Sequence, residues 1–379
     1  MTLLRPLLRP LLGLCLLFVP TRSPAQPAPT MLQQLAEAIG PAAARQAIAG
    51  LAARAEATGP RGPFVSEMLS LADGTARFRL TKDGDTTERL ATGGKIWQRS
   101  HAAGSAAVGA AEPAEAAMIG FVRGHEIHRM LLDIERRFRA DSRATATGCV
   151  ALLGPDDLPA TMCVAMGSAL PATIELGLPA AMGGGSTTIE LADWRRLHGV
   201  WLPYAVNFLH AGERHTYRYT AVLPFRLAPG AVLPAAPGEL LARLDDLEAL
   251  AAAHERGLEA HRRSDLRMLL DGASERSVES GRGVLRETGR DDLAARLGPY
   301  LAGIRFSRYE DVALPIVAVS ADGTLGWLAC QIEAAGTTRV AEESKQGPEA
   351  IAYGFSWVEL YAMQGGRWQA IGNASSARP

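Results

Sequence analysis

The chain has 379 residues and a formal net charge of −1, a length that suggests two domains. Near-neutral charge with no basic stripe excludes the usual nucleic-acid-binding footprint. After the leader no long apolar run remains, so no transmembrane segment is expected in the mature chain.

The leader is residues 1–25. Arg5 and Arg9 precede an apolar run over residues 11–19, and Ser23, Pro24 and Ala25 form a small-residue cleavage site. That order is the pattern of a secretory signal peptide. The apolar run is about half the length that spanning needs. Cys15 lies inside it behind Leu14, where lipoprotein processing wants a small residue, and reads as filler. Losing Arg5, Arg9 and Arg22 takes the formal charge to −4. The expected location is periplasmic or secreted.

Residues 31–57 are rich in alanine with helical spacing, and Gly40-Pro41 divides them into two short helices. Strand patterns follow at 63–74, 75–84 and 88–98, with Asp73-Gly74 and Asp83-Gly84-Asp85 as hairpin turns. Residues 102–117 are low in complexity and read as a loop running into a helix. That helix is expected over about 115–139, with Met130, Leu131, Ile134 and Phe138 on its apolar face. Residues 144–225 return to strands separated by Gly-, Pro- and Asp-rich turns. Residues 228–239 carry three prolines and two glycines and read as a linker. Beyond it come an amphipathic helix over 245–263, a short helix capped by Ser264-Asp265, strands within 274–287, a third helix over 289–303, and long closing strands. The chain thus divides into residues 26–228, a linker at 229–240 and residues 241–379. The fold class is α+β: an antiparallel half-barrel or sandwich with covering helices, then a cone-shaped domain with a curved antiparallel sheet.

Three cysteines remain in the mature chain, and an odd number leaves at least one thiol free. Cys149 and Cys163 flank a Gly-Pro-Asp-Asp turn between two strand-like runs. A disulfide forms there only if strand register brings them together, and register is not readable from sequence. Cys330 reads as a buried thiol.

The order of elements after residue 241, with EAHRRSDLRMLL, SVESGRGVLRETGRDDLAARL and FSWVELYAMQGGRWQAIG, resembles the nuclear transport factor 2-like superfamily in its SnoaL-like branch. The resemblance implies a curved sheet wrapped on helices around an apolar pocket, and pairing into a homodimer through the C-terminal sheet. The first half resembles the LolA-like lipoprotein carriers, through the export signal, AIGPAAARQAIAGL, GGKIWQ and HGVWLPYAV. That likeness implies an incomplete barrel sheltering a lipid or acyl chain.

Four parts of the chain carry residues suited to chemistry or ligand contact. GHEIH, at residues 124–128, suggests a zinc hydrolase, but such a helix needs its histidines four apart and these are three apart. His254 and His261 share a helical face with Leu247, Leu250, Ala251 and Leu258, so each can serve as a ligand contact, a general acid or base, or a core-edge histidine bonded to backbone. Read against the ketosteroid isomerase pattern from Asp265, the helical tyrosine falls on Gly257 and the acidic base on Ser280, with Glu279 beside it. Both family groups are missing or shifted, so isomerase chemistry would need Glu279 with His254 or His261 as a substitute pair. Trp327, Trp357 and Tyr361 complete the expected ligand contacts, together with His254, Leu258 and His261. No metal site and no cofactor are expected.

The leading expectation is a non-catalytic exported protein that binds or carries an apolar small molecule or lipid. The alternatives are an isomerase or lyase with its pocket in the C-terminal domain, and a structural protein of the cell envelope.

Overall fold

The structure is a computed structural model that describes residues 30–99, 108–112, 126–143, 145–154, 157–182, 184–339 and 347–377. The expected leader and His125 lie outside these residues, as does the start of the helix expected over 115–139.

The fold is α+β, with curved antiparallel sheets and few helices. The first sheet is built from β1 (Gly50–Gly59), β2 (Gly62–Leu71), β3 (Ala76–Lys82), β4 (Asp85–Thr92), β5 (Lys95–Arg99), β6 (Val108–Ala110), β7 (Arg139–Ala140), β8 (Cys149–Leu153), β9 (Pro159–Val164), β10 (Pro171–Gly177), β11 (Ser186–Leu197), β12 (Val200–His210) and β13 (Glu213–Leu227). Its order is β6-β5-β4-β3-β2-β1-β13-β12-β11-β10-β9-β8-β7, antiparallel throughout. The turns are those the sequence marks. Asp83 and Gly84 take positive φ between β3 and β4, where aspartate and glycine tolerate the left-handed region. Cys149 and Cys163 stand directly opposite on β8 and β9 and form a disulfide.

The second sheet holds β14 (Ala273–Gly281), β15 (Val284–Gly289), β16 (Ile304–Asp311), β17 (Ile316–Val319), β18 (Leu325–Thr338), β19 (Ala350–Gln364) and β20 (Arg367–Ala377). β18 pairs with β16 and β17 on one side and with β19 on the other, and β20 then leads to β14 and β15. A short parallel pairing of β13 with β17 joins the two sheets.

Two expectations change. Residues 50–57, expected as helix, form β1. Alanine favours helix, but Arg54 and Glu56 alternate with buried Ala53, Ala55 and Ala57, and that period of two fits the sheet. The described part of the helix expected over 115–139 is two short helices, α3 (Ile127–Leu132) and α4 (Ile134–Arg137), divided at Asp133. They join α1 (Met31–Ile39), whose start is fixed by a capping box between Thr30 and Gln33, and α2 (Ala42–Ala47).

Helices α1, α3 and α4 pack on one face of the first sheet. Leu35, Ile39, Met130, Leu131, Ile134 and Phe138 fill that space and are all buried. The opposite face carries Ala52, Leu69, Leu71, Leu90 and Phe225, and it packs against α5 (Pro237–Arg263). This helix begins two turns before the amphipathic run expected from Asp245. Proline suits the first turn because its missing N–H would have no helical partner there. Leu240, Leu241 and Leu244 then extend the apolar stripe. The same helix packs on β17 and β18 of the second sheet through Leu247 and Leu250. It fits closely: a Cβ on Gly326 would stand 2.7 Å from Leu250 Cδ1.

A cluster of ion pairs fixes the register of α5 on the first sheet. Arg77 of β3 is fully buried and bonds Asp245 and, at 2.6 Å, Glu248. Arg79 reaches Glu88 at 2.7 Å and Asp245 at 2.8 Å. A buried guanidinium without carboxylates would be very costly, so the pairing dictates where the helix sits. Asp245 and Glu248 keep 34% and 22% side-chain exposure, so water relieves them in part if Arg77 is lost. Arg77→Met is therefore expected to cost about 2–3 kcal/mol in urea unfolding at unchanged m. A change below about 0.5 kcal/mol would show that apolar contact alone seats the helix.

Candidate functional site

The C-terminal half of α5 leaves the first sheet and forms one wall of a cavity of about 370 Å³. The other walls are α6 (Leu266–Asp271), α7 (Arg290–Gly303) and the inner faces of β14, β19 and β20. Asp265 caps α6 by accepting the Met268 N–H at 2.9 Å. The lining is mainly aliphatic and aromatic, with polar groups at a few points.

Of the residues singled out from sequence, His254, Leu258, His261, Glu279, Trp357 and Tyr361 line this cavity. Trp327 does not. Leu328, Cys330 and Ile332 of β18 are buried on the inner face, and strand alternation sends Trp327 to the opposite face. There it stands across from Leu360, in a surface that also exposes Leu325 and Val358.

The expected partnership of Glu279 with a histidine is not the one formed. Glu279 bonds Arg296 of α7, with Arg286 at 3.6 Å. His254 is paired instead with Asp311, at the end of β16, through a 2.8 Å hydrogen bond from Nε2 to Oδ2. Both side chains are more than nine-tenths buried. Burial alone would lower the His254 pKa, but the Asp311 hydrogen bond and charge outweigh it and hold the pKa above the usual histidine value. With Nε2 committed to Asp311, Nδ1 is the nitrogen left for a ligand in the cavity.

Glu359, between Trp357 and Tyr361, is another polar group of the lining. Burial raises its pKa, opposed by a 2.7 Å hydrogen bond donated by the Tyr361 hydroxyl and by the charge of His254. His261 donates Nδ1–H to the Gly257 carbonyl at 2.7 Å and stacks on Tyr309 with ring centroids 4.2 Å apart. A carbonyl can only accept, so Nδ1 carries the proton and Nε2 holds a free lone pair. Burial keeps the His261 pKa below the usual value despite that bond. The Tyr300 and Tyr353 hydroxyls meet at 2.6 Å.

Sequence reasoning missed Asp311, and nothing local marks it, because its partner is 57 positions away. Glu359 lies in the alternation Phe355-Trp357-Glu359-Tyr361 of β19, and an acidic residue between aromatics has no meaning until the cavity is known.

The GHEIH stretch has a structural role wherever it is described. Glu126 caps α3 by accepting the His128 N–H at 2.9 Å and the Arg129 N–H at 2.5 Å. His128 is fully buried and donates Nε2–H to the Pro203 carbonyl at 2.9 Å. Arg129 donates to the Ile48 carbonyl at 3.1 Å. These groups are occupied holding α3 to the first sheet.

No family model matches the chain, and no curated protein matches it. Solved structures similar to parts of it include both kinds that the sequence resembles. A ketosteroid isomerase-like protein from Erwinia carotovora atroseptica is 20% identical over 36% of this chain and 98% of its own, with a TM-score of 0.29. An NTF2-like protein from Cytophaga hutchinsonii is 13% identical over 35% of this chain and 97% of its own, with a TM-score of 0.28. A LolA superfamily protein from Nitrosomonas europaea is 12% identical over 52% of this chain and 93% of its own, with a TM-score of 0.36. At these values the likeness carries no argument about activity, and the reading of the site rests on its own geometry.

The depressed pKa of His261 makes stability depend on pH. Protonation favours the unfolded chain, where the histidine has its ordinary value of 6.5. The stabilising contribution is therefore present above pH 6.5 and is lost as pH falls toward the lower folded pKa, at up to about 1.4 kcal/mol per pH unit. His261→Gln should flatten the stability profile over that window in urea titrations. An equally steep profile in the variant would assign the pH dependence to other groups.

Proposed function

We propose that this is an exported protein, periplasmic or secreted, that binds one small and largely apolar molecule in the cavity of its second half. The observation that carries the reading is the cavity's make-up. Aliphatic and aromatic side chains form most of the wall, and fixed polar groups, among them His254, His261, Glu359 and the Glu279–Arg296 pair, can orient a hydrogen-bonding substituent. The volume of about 370 Å³ lies near the lower end of small-molecule sites, roughly 300–1,000 Å³. It suits a compact molecule or a single short chain better than a two-chain lipid. The LolA-like half contributes less to this reading, because buried side chains of α1, α3 and α4 occupy the face of its sheet that such a chain would use.

A second reading is an isomerase or lyase at the same cavity. The Asp311–His254 pair favours it, since an oriented imidazole beside a buried carboxyl is the minimum for moving a proton. The carrier reading leads because Asp311 stands behind His254 and is absent from the cavity lining. The exposed Leu325, Val358 and Leu360 of the second sheet also support a homodimer through that face.

Two measurements test these readings. Chain expressed with its leader should yield one apolar small molecule per cavity on solvent extraction and mass spectrometry, and Trp357→Ala should lose it. A clean extract, with no apolar molecule retained by the purified chain in binding assays, would sink the carrier reading. For the dimer, sedimentation should give two chains per particle, reduced to one by Leu360→Arg. A monomeric parent chain would end that part of the proposal.

A further inference from the structure

We propose that His254, Asp311 and Cys330 form a binding site for one transition-metal ion, with zinc as the preferred ion, behind the inner wall of the cavity. The proposal goes beyond the cavity's role and does not depend on what the cavity binds.

Three different elements bring the donors together. His254 comes from α5, Asp311 from the end of β16 and Cys330 from the inner face of β18, and their ligand atoms all lie within 4.8 Å of one another. His254 and Cys330 are 4% and 7% exposed. The pairing of His254 with Asp311 uses only one carboxylate oxygen. Asp311 Oδ1 is buried and has no hydrogen-bond partner among the described residues. An unsatisfied carboxylate oxygen in a dry place is costly and asks for an explanation. A bound cation supplies one.

The donor set selects the ion. One imidazole, one carboxylate and one thiolate, with a fourth position left to water, suit a borderline-soft ion in tetrahedral geometry, which is the preference of zinc. Zinc bonds of roughly 2.0–2.3 Å place tetrahedral ligand atoms about 3.3–3.8 Å apart. The donors are within reach of that spacing, and the 2.8 Å contact between His254 and Asp311 must open by about half an ångström to admit the ion. On binding, Nε2 of His254 becomes the ligand and its proton is released to solvent, while Nδ1 keeps its own. The Cys330 thiol proton is released to solvent.

Cobalt(II) is the direct probe, because a cobalt–thiolate bond gives an intense near-ultraviolet charge-transfer band. Cys149 and Cys163 are disulfide-bonded, so in the chain from residue 26 Cys330 is the thiol that can produce it. The purified chain, stripped with chelator and dialysed, should bind one cobalt ion with that band, and zinc should displace it at one equivalent. Cys330→Ser should abolish the band, and Asp311→Asn should weaken zinc binding about tenfold or more. The band in the unaltered chain needs no variant, so the test survives a variant that fails to fold. Absence of the band at saturating cobalt, or its persistence in folded Cys330→Ser, would overturn the proposal. Zinc affinity unchanged in folded Asp311→Asn would also overturn it.

Discussion

Helix α5 has to satisfy two sheets at once, and most of the molecule follows from that. Its first half lies between the apolar face of the first sheet and strands β17 and β18 of the second. Leu240, Leu241, Leu244, Leu247 and Leu250 are all buried, and each contributes roughly 1.5–3 kcal/mol through apolar area removed from water. Apolar packing is tolerant of sliding, whereas charges are not. Arg77 is buried beneath the helix and can be accommodated only with Asp245 and Glu248 above it. That requirement fixes both the rotation and the height of α5, and therefore places everything attached further along it.

The cavity is built from the consequence. Once the first turns of α5 are seated, its later turns carry His254, Leu258 and His261 past the end of the first sheet to face α7 and the inner side of β19. Each histidine is then held by a different device. Asp311 grips His254 from β16, while His261 is tied to its own helix at Gly257 and stacked on Tyr309. Burial gives opposite outcomes for the two rings. A carboxylate partner holds the His254 pKa above its ordinary value, and the lack of one leaves the His261 pKa below it. Two imidazoles one heptad apart thus have their pKa values displaced in opposite directions within the same small space.

Much of this was legible in the sequence, and the reasons are specific. Glycine and aspartate at residues 73–74, 83–85 and 364–366 mark turns because few other residues tolerate the backbone they need. The shared face of His254, Leu258 and His261 was readable because helical periodicity is local. The alternation of Phe355, Trp357, Glu359 and Tyr361 was readable for the same reason. What escaped was either masked by composition or set at long range. The alanines of β1 look helical until the alternating burial of Ala53, Ala55 and Ala57 is seen against β2 and β13. The prolines before α5 look like a spacer, although one of them opens the helix. Trp327 differs from its buried neighbours only in strand parity, which cannot be assigned to a face without knowing where the core lies. The pairings Arg77–Asp245, His254–Asp311 and Glu279–Arg296 join distant positions that no local pattern connects.

The central claim is that α5 makes the two sheets one cooperative unit, so that the cavity wall cannot persist without the first sheet. Hydrogen exchange followed by mass spectrometry through a urea titration tests it most directly. The account predicts that peptides from β2 and β3, from the cavity-lining turns of α5, and from β18 and β19 lose protection together at one midpoint. Two separate midpoints, with the later turns of α5 and β18 still protected after β2 and β3 have opened, would contradict it.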